Sequence, residues 1–169
     1  MPSSDADLRS KLTRPKRGLR LFAAERHREL ALAVLELTST ALSEDPHVLA
    51  TRWRELDEAL RDHMAAEEDL IIPAYQLSEP EEAEELRTEH ARIRGLLDEI
   101  GVDVRGHTLD ATRMSRLVEL LRAHENREDT SMYPWAESNL PLVTRRQLFV
   151  RISHWLRGRT TARASRSGD

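Results

Sequence analysis

The sequence predicts an all-α fold, an up-down-up-down four-helix bundle with an additional C-terminal helix. Three observations predict it. Apolar residues recur at helical spacing through most of the chain, and no β-branched run interrupts them. Glycine and proline fall almost entirely where helices can start or stop. The connections between the periodic segments are short, which suits antiparallel neighbours.

The first helix is expected over about 19–42. Ala23, His27, Leu30, Val34, Leu37 and Ala41 form one stripe at steps of three and four. Ser43-Glu44-Asp45-Pro46 separates it from the second, with Asp45 as N-cap and Pro46 at the first helical position. The second helix runs to about 72 on the stripe Trp53, Leu56, Leu60, His63, Glu67 and Leu70, and Pro73 ends or kinks it. Ser78-Glu79-Pro80-Glu81 reads as a capping box with an acidic first turn. The third helix then carries Leu86, His90, Ile93, Leu97 and Ile100, and a break is expected over 101–106, between two glycines. Asp110 caps the fourth helix, expected to run to about 132 on Met114, Leu117, Leu121, His124 and Glu128. After a short stretch, Asn139-Leu140-Pro141 opens a fifth helix to about 157. The domain reading is a flexible basic arm over 1–18, the bundle over 19–158 and a disordered tail over 159–169, where the residues are small, polar and basic.

Bulk composition narrows the function. The 169 residues suit one domain. One-third of them are charged, mean hydropathy is −0.60, and no apolar run approaches a membrane span. Basic residues near the N-terminus have no apolar core behind them, unlike a secretory signal. The absence of cysteine removes disulfides, thiolate ligands and thiol nucleophiles, and fits a cytoplasmic protein. A formal charge of −4 and few aromatics give no strong case for nucleic acid. The basic arm (Arg9, Lys11, Arg14, Lys16, Arg17 and Arg20) and the arginines from Arg145 onward read first as solvated ends.

One frame is written twice. RDHMAAEEDLIIP at 61–73 and RAHENREDTSMYP at 122–134 both read Arg, any residue, His, three residues, Glu, an acid, four residues, Pro. The i,i+4 spacing puts His63 beside Glu67 and His124 beside Glu128, on stripes that otherwise point into the core. His27 and His90 lie on the other two stripes. They precede their partners by 36 and 34 residues, and each is followed by apolar residues at +3, +7 and +10. Helices one and two therefore resemble helices three and four, and two such hairpins can pack with approximate two-fold symmetry. Four imidazoles and two carboxylates would then meet in one core. Unpartnered, each buried polar group costs about 1–3 kcal/mol. Divalent metals remove that cost, and six such ligands suit two ions, each capped by two histidines and bridged by the glutamates. Mixed imidazole and carboxylate donors suit iron, manganese or zinc better than calcium or magnesium. An HExxH motif, the Glu-x-x-His of ferritin-like bundles and Gly-rich phosphate loops are all absent.

The pattern His27, His63-x3-Glu67, His90, His124-x3-Glu128, closed twice by proline, resembles the hemerythrin-like (HHE cation-binding) family over about 19–134. The resemblance implies a four-helix bundle holding two iron ions, oxo- or hydroxo-bridged, with these six residues as ligands; manganese and zinc rank behind iron. It implies reaction with, or sensing of, oxygen, peroxide or nitric oxide. Peroxide disproportionation, an iron or oxygen store and a sensor are its competing forms. A metal-free helical interaction protein is the reading outside it.

Oxygen-carrying members have a second histidine four residues after the one on the third helix, where this chain has Arg94. The chain resembles a four-histidine variant. That points away from reversible oxygen carriage and leaves a coordination position for a small ligand. Those members also place an aspartate five residues after the fourth-helix histidine, at Asp129 here, but the parallel with Glu67 favours Glu128 as the bridge. Tyr133 is a further candidate ligand, weighed against a packed helix-end aromatic. Tyr75 ranks behind it. Glu89 and Asp62 adjoin the candidate histidines and read first as solvated helix charges, with support of those rings as the other reading, and Glu68 and Asp129 read as facing outward or to the rim. His47, His107 and His154 are poor ligand candidates. Trp155 and Leu156 read as core or as a dimer face, so the chain is expected as monomer or homodimer.

Overall fold

A computed structural model describes residues 18–40 and 45–164, with side chains described over 18–38 and 45–153. In chain order the elements are α1 (Leu19–Thr40), α2 (Pro46–Leu70), a single turn α3 (Ile72–Tyr75), α4 (Pro80–Gly106) and α5 (Ala111–Arg127). A π-helical turn (Glu128–Met132), α6 (Tyr133–Asn139) and α7 (Leu142–Ala164) follow. No strand occurs among the described residues. The fold is all-α. Helices α1, α2, α4 and α5 pack in a closed ring, each against its two neighbours, and α7 lies outside against α2 and α1.

The stripes enter the core as their spacing requires. Leu30, Val34 and Leu37, Trp53, Leu56 and Leu60, Ile93, Leu97 and Ile100, and Met114, Leu117 and Leu121 form one apolar cluster. A second cluster joins Ala23, Ile72, Tyr75, Leu86, Met132 and Tyr133 to Leu148 and Ile152 of α7. Phe149 packs on Phe22 with ring centres 4.3 Å apart and the planes tilted, and Arg151 pairs with Asp69. The four histidines and two glutamates fall in the layer between these clusters. Asp45 and Asp110 cap α2 and α5 as expected, accepting from the amides of His47 and Thr112 at 2.7 Å each.

Several boundaries differ from the expectation. Ser78 does not cap α4; its hydroxyl donates to Tyr75 O, and Glu79 stands at the N-cap without a side-chain bond. The expected break at 101–106 is helix. A Cβ on Gly101 would meet Trp53 Nε1 at 3.4 Å, an ordinary contact distance, so the helix passes through this glycine where α4 packs on α2. In a helix that freedom costs only about 1 kcal/mol against alanine, which a packing contact can offset. The stop comes at His107, left-handed at φ 56°, where the Thr108 amide reaches back to Asp103 O.

The fourth long helix does not stay α-helical to 132. It becomes a π turn at Glu128, with the Tyr133 amide bonded to Glu128 O. Pro134 has no N–H for the preceding turn, and the Thr130 and Ser131 hydroxyls donate to Asn126 O and Arg127 O, loosening the ladder there. The short stretch after Pro134 is helical as α6. Asn139 closes it, donating to Trp135 O, instead of opening the next helix. Helix α7 continues past the expected end to Ala164. The arm at 1–17, the 41–44 link, residues 165–169 and the side chains of His154, Trp155 and Leu156 lie outside the described residues.

Candidate metal centre

Each long helix delivers its share through its buried face. His27 comes from α1, His63 and Glu67 from α2, His90 from α4, His124 from α5, and Glu128 from the first residue of the π turn. All six are buried, and His90, Glu67 and Glu128 have no exposed surface. The rings meet in pairs: His27 and His63 approach Nε2 to Nε2 at 3.1 Å, and His90 and His124 do the same at 3.1 Å. Each carboxylate spans both pairs. Glu67 sets Oε1 3.1 Å from His63 and Oε2 3.5 Å from His90. Glu128 sets Oε2 3.2 Å from His27 and Oε1 3.0 Å from His124.

Two four-residue sets result, His27-His63-Glu67-Glu128 and Glu67-His90-His124-Glu128, each with its donor atoms within 4.8 Å of one another. Exchanging His27 with His90, His63 with His124 and Glu67 with Glu128 reproduces the distances closely. That is the approximate two-fold read from the repeat. Asp129 does not take the bridging place: its Oδ1 lies 3.3 Å from His27 Nδ1, outside both sets.

A protein-family model described as the hemerythrin HHE cation binding domain matches residues 23–136. The chain belongs to this family. No curated protein and no solved structure gives a significant match to it. The family match brings cation binding to the chain, and the buried His/Glu sets are where its hemerythrin domain could hold a cation.

The chemistry of the donor set fits that cation. Glu67 Oε2 and both oxygens of Glu128 are buried without an aligned hydrogen-bond donor, although histidine nitrogens stand near them. Facing Nε2 atoms at 3.1 Å cannot both carry a proton between them. Metal-free, the cluster is held by opposite charges. Burial works to lower His27, but the Asp129 and Glu128 carboxylates outweigh it and lift the ring to about 10. His90, opposed by burial and favoured by Glu128 and Glu67, rises to about 9. His124 rises well above the usual range against its burial, chiefly through Glu128. Burial and the neighbouring Glu128 would raise Glu67, yet His63 and His90 hold it at about 2. Glu128 is likewise held well below the usual range by His124, His27 and His90. Metal ions would replace those protons at the same atoms.

Outside these two sets stand acids that touch the histidines. Glu89 is no solvated charge. It is buried, with Oε2 2.8 Å from His124 Nδ1 and Oε1 accepting from Arg127 Nε at 2.8 Å. Glu68 sits at the rim as expected, but its Oε1 is 2.8 Å from His90 Nδ1 and Arg94 grips both its oxygens at 2.7 Å. Arg94, in place of the carriers' fifth histidine, therefore acts on the centre through Glu68 and His90. Such partners fix the ring orientation of a ligating histidine. The sequence holds only a weak signal for them, one shared by every acid beside a stripe residue. Each acid adjoins a stripe residue, and a neighbour 100° around a helix points toward the next helix in the ring. His63 Nδ1 has no such partner.

Tyr133 also stands one step out. Its hydroxyl donates to Glu67 Oε1 at 2.5 Å, from a fully buried position that the π turn creates. Burial and the two central carboxylates push the phenol well above its usual range, so it stays a neutral donor. Tyr75 packs instead on Trp135.

A small cavity adjoins the centre, with room for about one water molecule. His27, His63, His124 and Glu128 form one side of it. Leu30, Ile93, Leu60, Leu121 and Met64 form the apolar walls, and Glu125 completes them. Burial raises the Glu125 carboxyl to about 7.

Proposed function

We propose that this hemerythrin-family chain holds two iron ions, one at His27 and His63 and one at His90 and His124, with Glu67 and Glu128 shared between them. The observation that supports this most is the span of each carboxylate, one oxygen toward each histidine pair. Imidazole with carboxylate favours iron, with manganese or zinc as the other candidates. When bound, the iron pair would supply redox chemistry toward oxygen, peroxide or nitric oxide.

The chain's own residues prepare that chemistry. Glu89 and Glu68 keep the protons on the outer nitrogens of His124 and His90, leaving Nε2 free to donate its lone pair. Tyr133 donates its proton to the Glu67 oxygen that also faces His63. The two apolar clusters exclude bulk water on both sides of the layer. Two histidines and two carboxylates per ion leave coordination positions open, as sites that do chemistry require.

The activity proposed is peroxide disproportionation, two hydrogen peroxides giving two waters and dioxygen, in the cytoplasm. The iron-loaded protein is expected to turn over hydrogen peroxide well above free iron, and Glu67→Ala to abolish the excess. Turnover no greater than that of free iron would overturn the enzyme reading. It would leave a sensor or store, separable by whether iron changes the protein's binding to a partner.

A further inference from the structure

The outer wall of the cavity beside the centre is built from residues that the internal two-fold relates. The exchange that relates His27 to His90 and His63 to His124 also relates Leu30 to Ile93, Leu60 to Leu121 and Met64 to position 125. All six of these second-named pairs' members line the cavity. Two pairs match apolar with apolar. The third does not: the counterpart of Met64 is Glu125. The cavity therefore straddles the two halves, and one carboxyl breaks its apolar wall.

Glu125 Oε1 is buried and has no hydrogen-bond partner. It is not part of either four-residue set. Glu68 and Glu89 each face the outer nitrogen of a histidine and pair with an arginine, whereas Glu125 lines the cavity. A buried polar atom without a partner costs stability, and Met64 demonstrates that methionine suits the related position. A hydrogen bond to a molecule in the cavity would give Oε1 the partner it lacks. Room for about one water molecule limits the entrant to a molecule of diatomic or peroxide size.

We propose that Glu125 is the hydrogen-bonding residue for a small oxygen- or nitrogen-containing molecule held in this cavity across the two metal positions. The proposal rests on the two-metal reading above. Its acid acts on the bound molecule, while the six central residues hold the ions.

Nitric oxide bound to the ferrous-loaded full chain is the probe, read by its N–O stretching frequency and its dissociation rate, with iron content measured alongside. Glu125→Met restores the symmetric apolar wall, and Glu125→Gln keeps a hydrogen-bonding group. Both variants are expected to bind as much iron as the wild type. In Glu125→Met the stretch shifts and nitric oxide leaves about three to ten times faster, the loss expected for one hydrogen bond. Glu125→Gln stays near the wild type. Identical stretch and rate in the wild type and Glu125→Met would overturn the proposal, as would an iron-loaded wild type that takes up no nitric oxide. A wild type that binds no iron overturns the two-metal reading itself.

Discussion

Glu89→Ala tests how far the surroundings of the centre govern its metal. The carboxylate takes His124 Nδ1 on one oxygen and Arg127 on the other, both at 2.8 Å, and is buried. The substitution frees the His124 ring to rotate and removes the acceptor that fixes its tautomer. It also strands the Arg127 guanidinium, which keeps only Glu82 at 3.2 Å. Loss of such a partner typically weakens metal binding about 10- to 100-fold, which is about 1.4–2.7 kcal/mol. The effect should fall on the His90-His124 ion, because Glu89 touches neither His27 nor His63. Anaerobic titration of metal-free protein with ferrous iron against a competing chelator resolves the two ions as two steps. The expected result is one step displaced by about 10- to 100-fold and the other near its wild-type position. Glu89→Gln, which keeps a carbonyl acceptor, should displace it less. Unchanged titration in Glu89→Ala, or equal weakening of both steps, would refute the reasoning.

Other predictions concern the protons and the phenol. Tyr133→Phe removes a 2.5 Å donor from buried Glu67 and should destabilise the metal-free protein by about 1.5–3 kcal/mol in urea; an unchanged midpoint would remove that bond from the account. His27 and His90 are raised to about 10 and 9, so their contribution is full below pH 6.5 and is lost as pH rises through those values. Glu67 is lowered to about 2, so its contribution is full above 4.5 and is lost as pH falls toward 2. Metal-free protein should therefore show declining urea midpoints from pH 6.5 to 10, and a flat profile would contradict the charged cluster. Because His27 is raised and the facing His90-His124 pair can hold one extra proton between its Nε2 atoms, metal loading at pH 7 should release about two protons per chain into weakly buffered solution, against none if the rings were already neutral.

The stripes and the repeated frame made the bundle and the central six residues legible. A histidine or glutamate at an apolar helical position has one place to point, and four helices in a short-linked ring bring those places together. Less of the surroundings could be read. Glu89 and Glu68 look like ordinary helix charges until the helix they face is known, since their function depends on a residue of another helix. Gly101 reads as a break because propensity alone cannot see Trp53 across the interface. The π turn was prefigured by Thr130, Ser131 and Pro134, each of which weakens the α ladder, but its consequence at Tyr133 is a matter of three-dimensional placement. Glu125 gave no signal of its own; only the two-fold relation to Met64 and a shared cavity set it apart.

Iron analysis of the anaerobically loaded chain, set beside Glu67→Ala and Glu128→Ala, tests the central claim most directly. The account predicts two irons per wild-type chain and fewer in each variant, because each carboxylate serves both ions. One iron or none in the wild type, or two irons retained after either substitution, would contradict it.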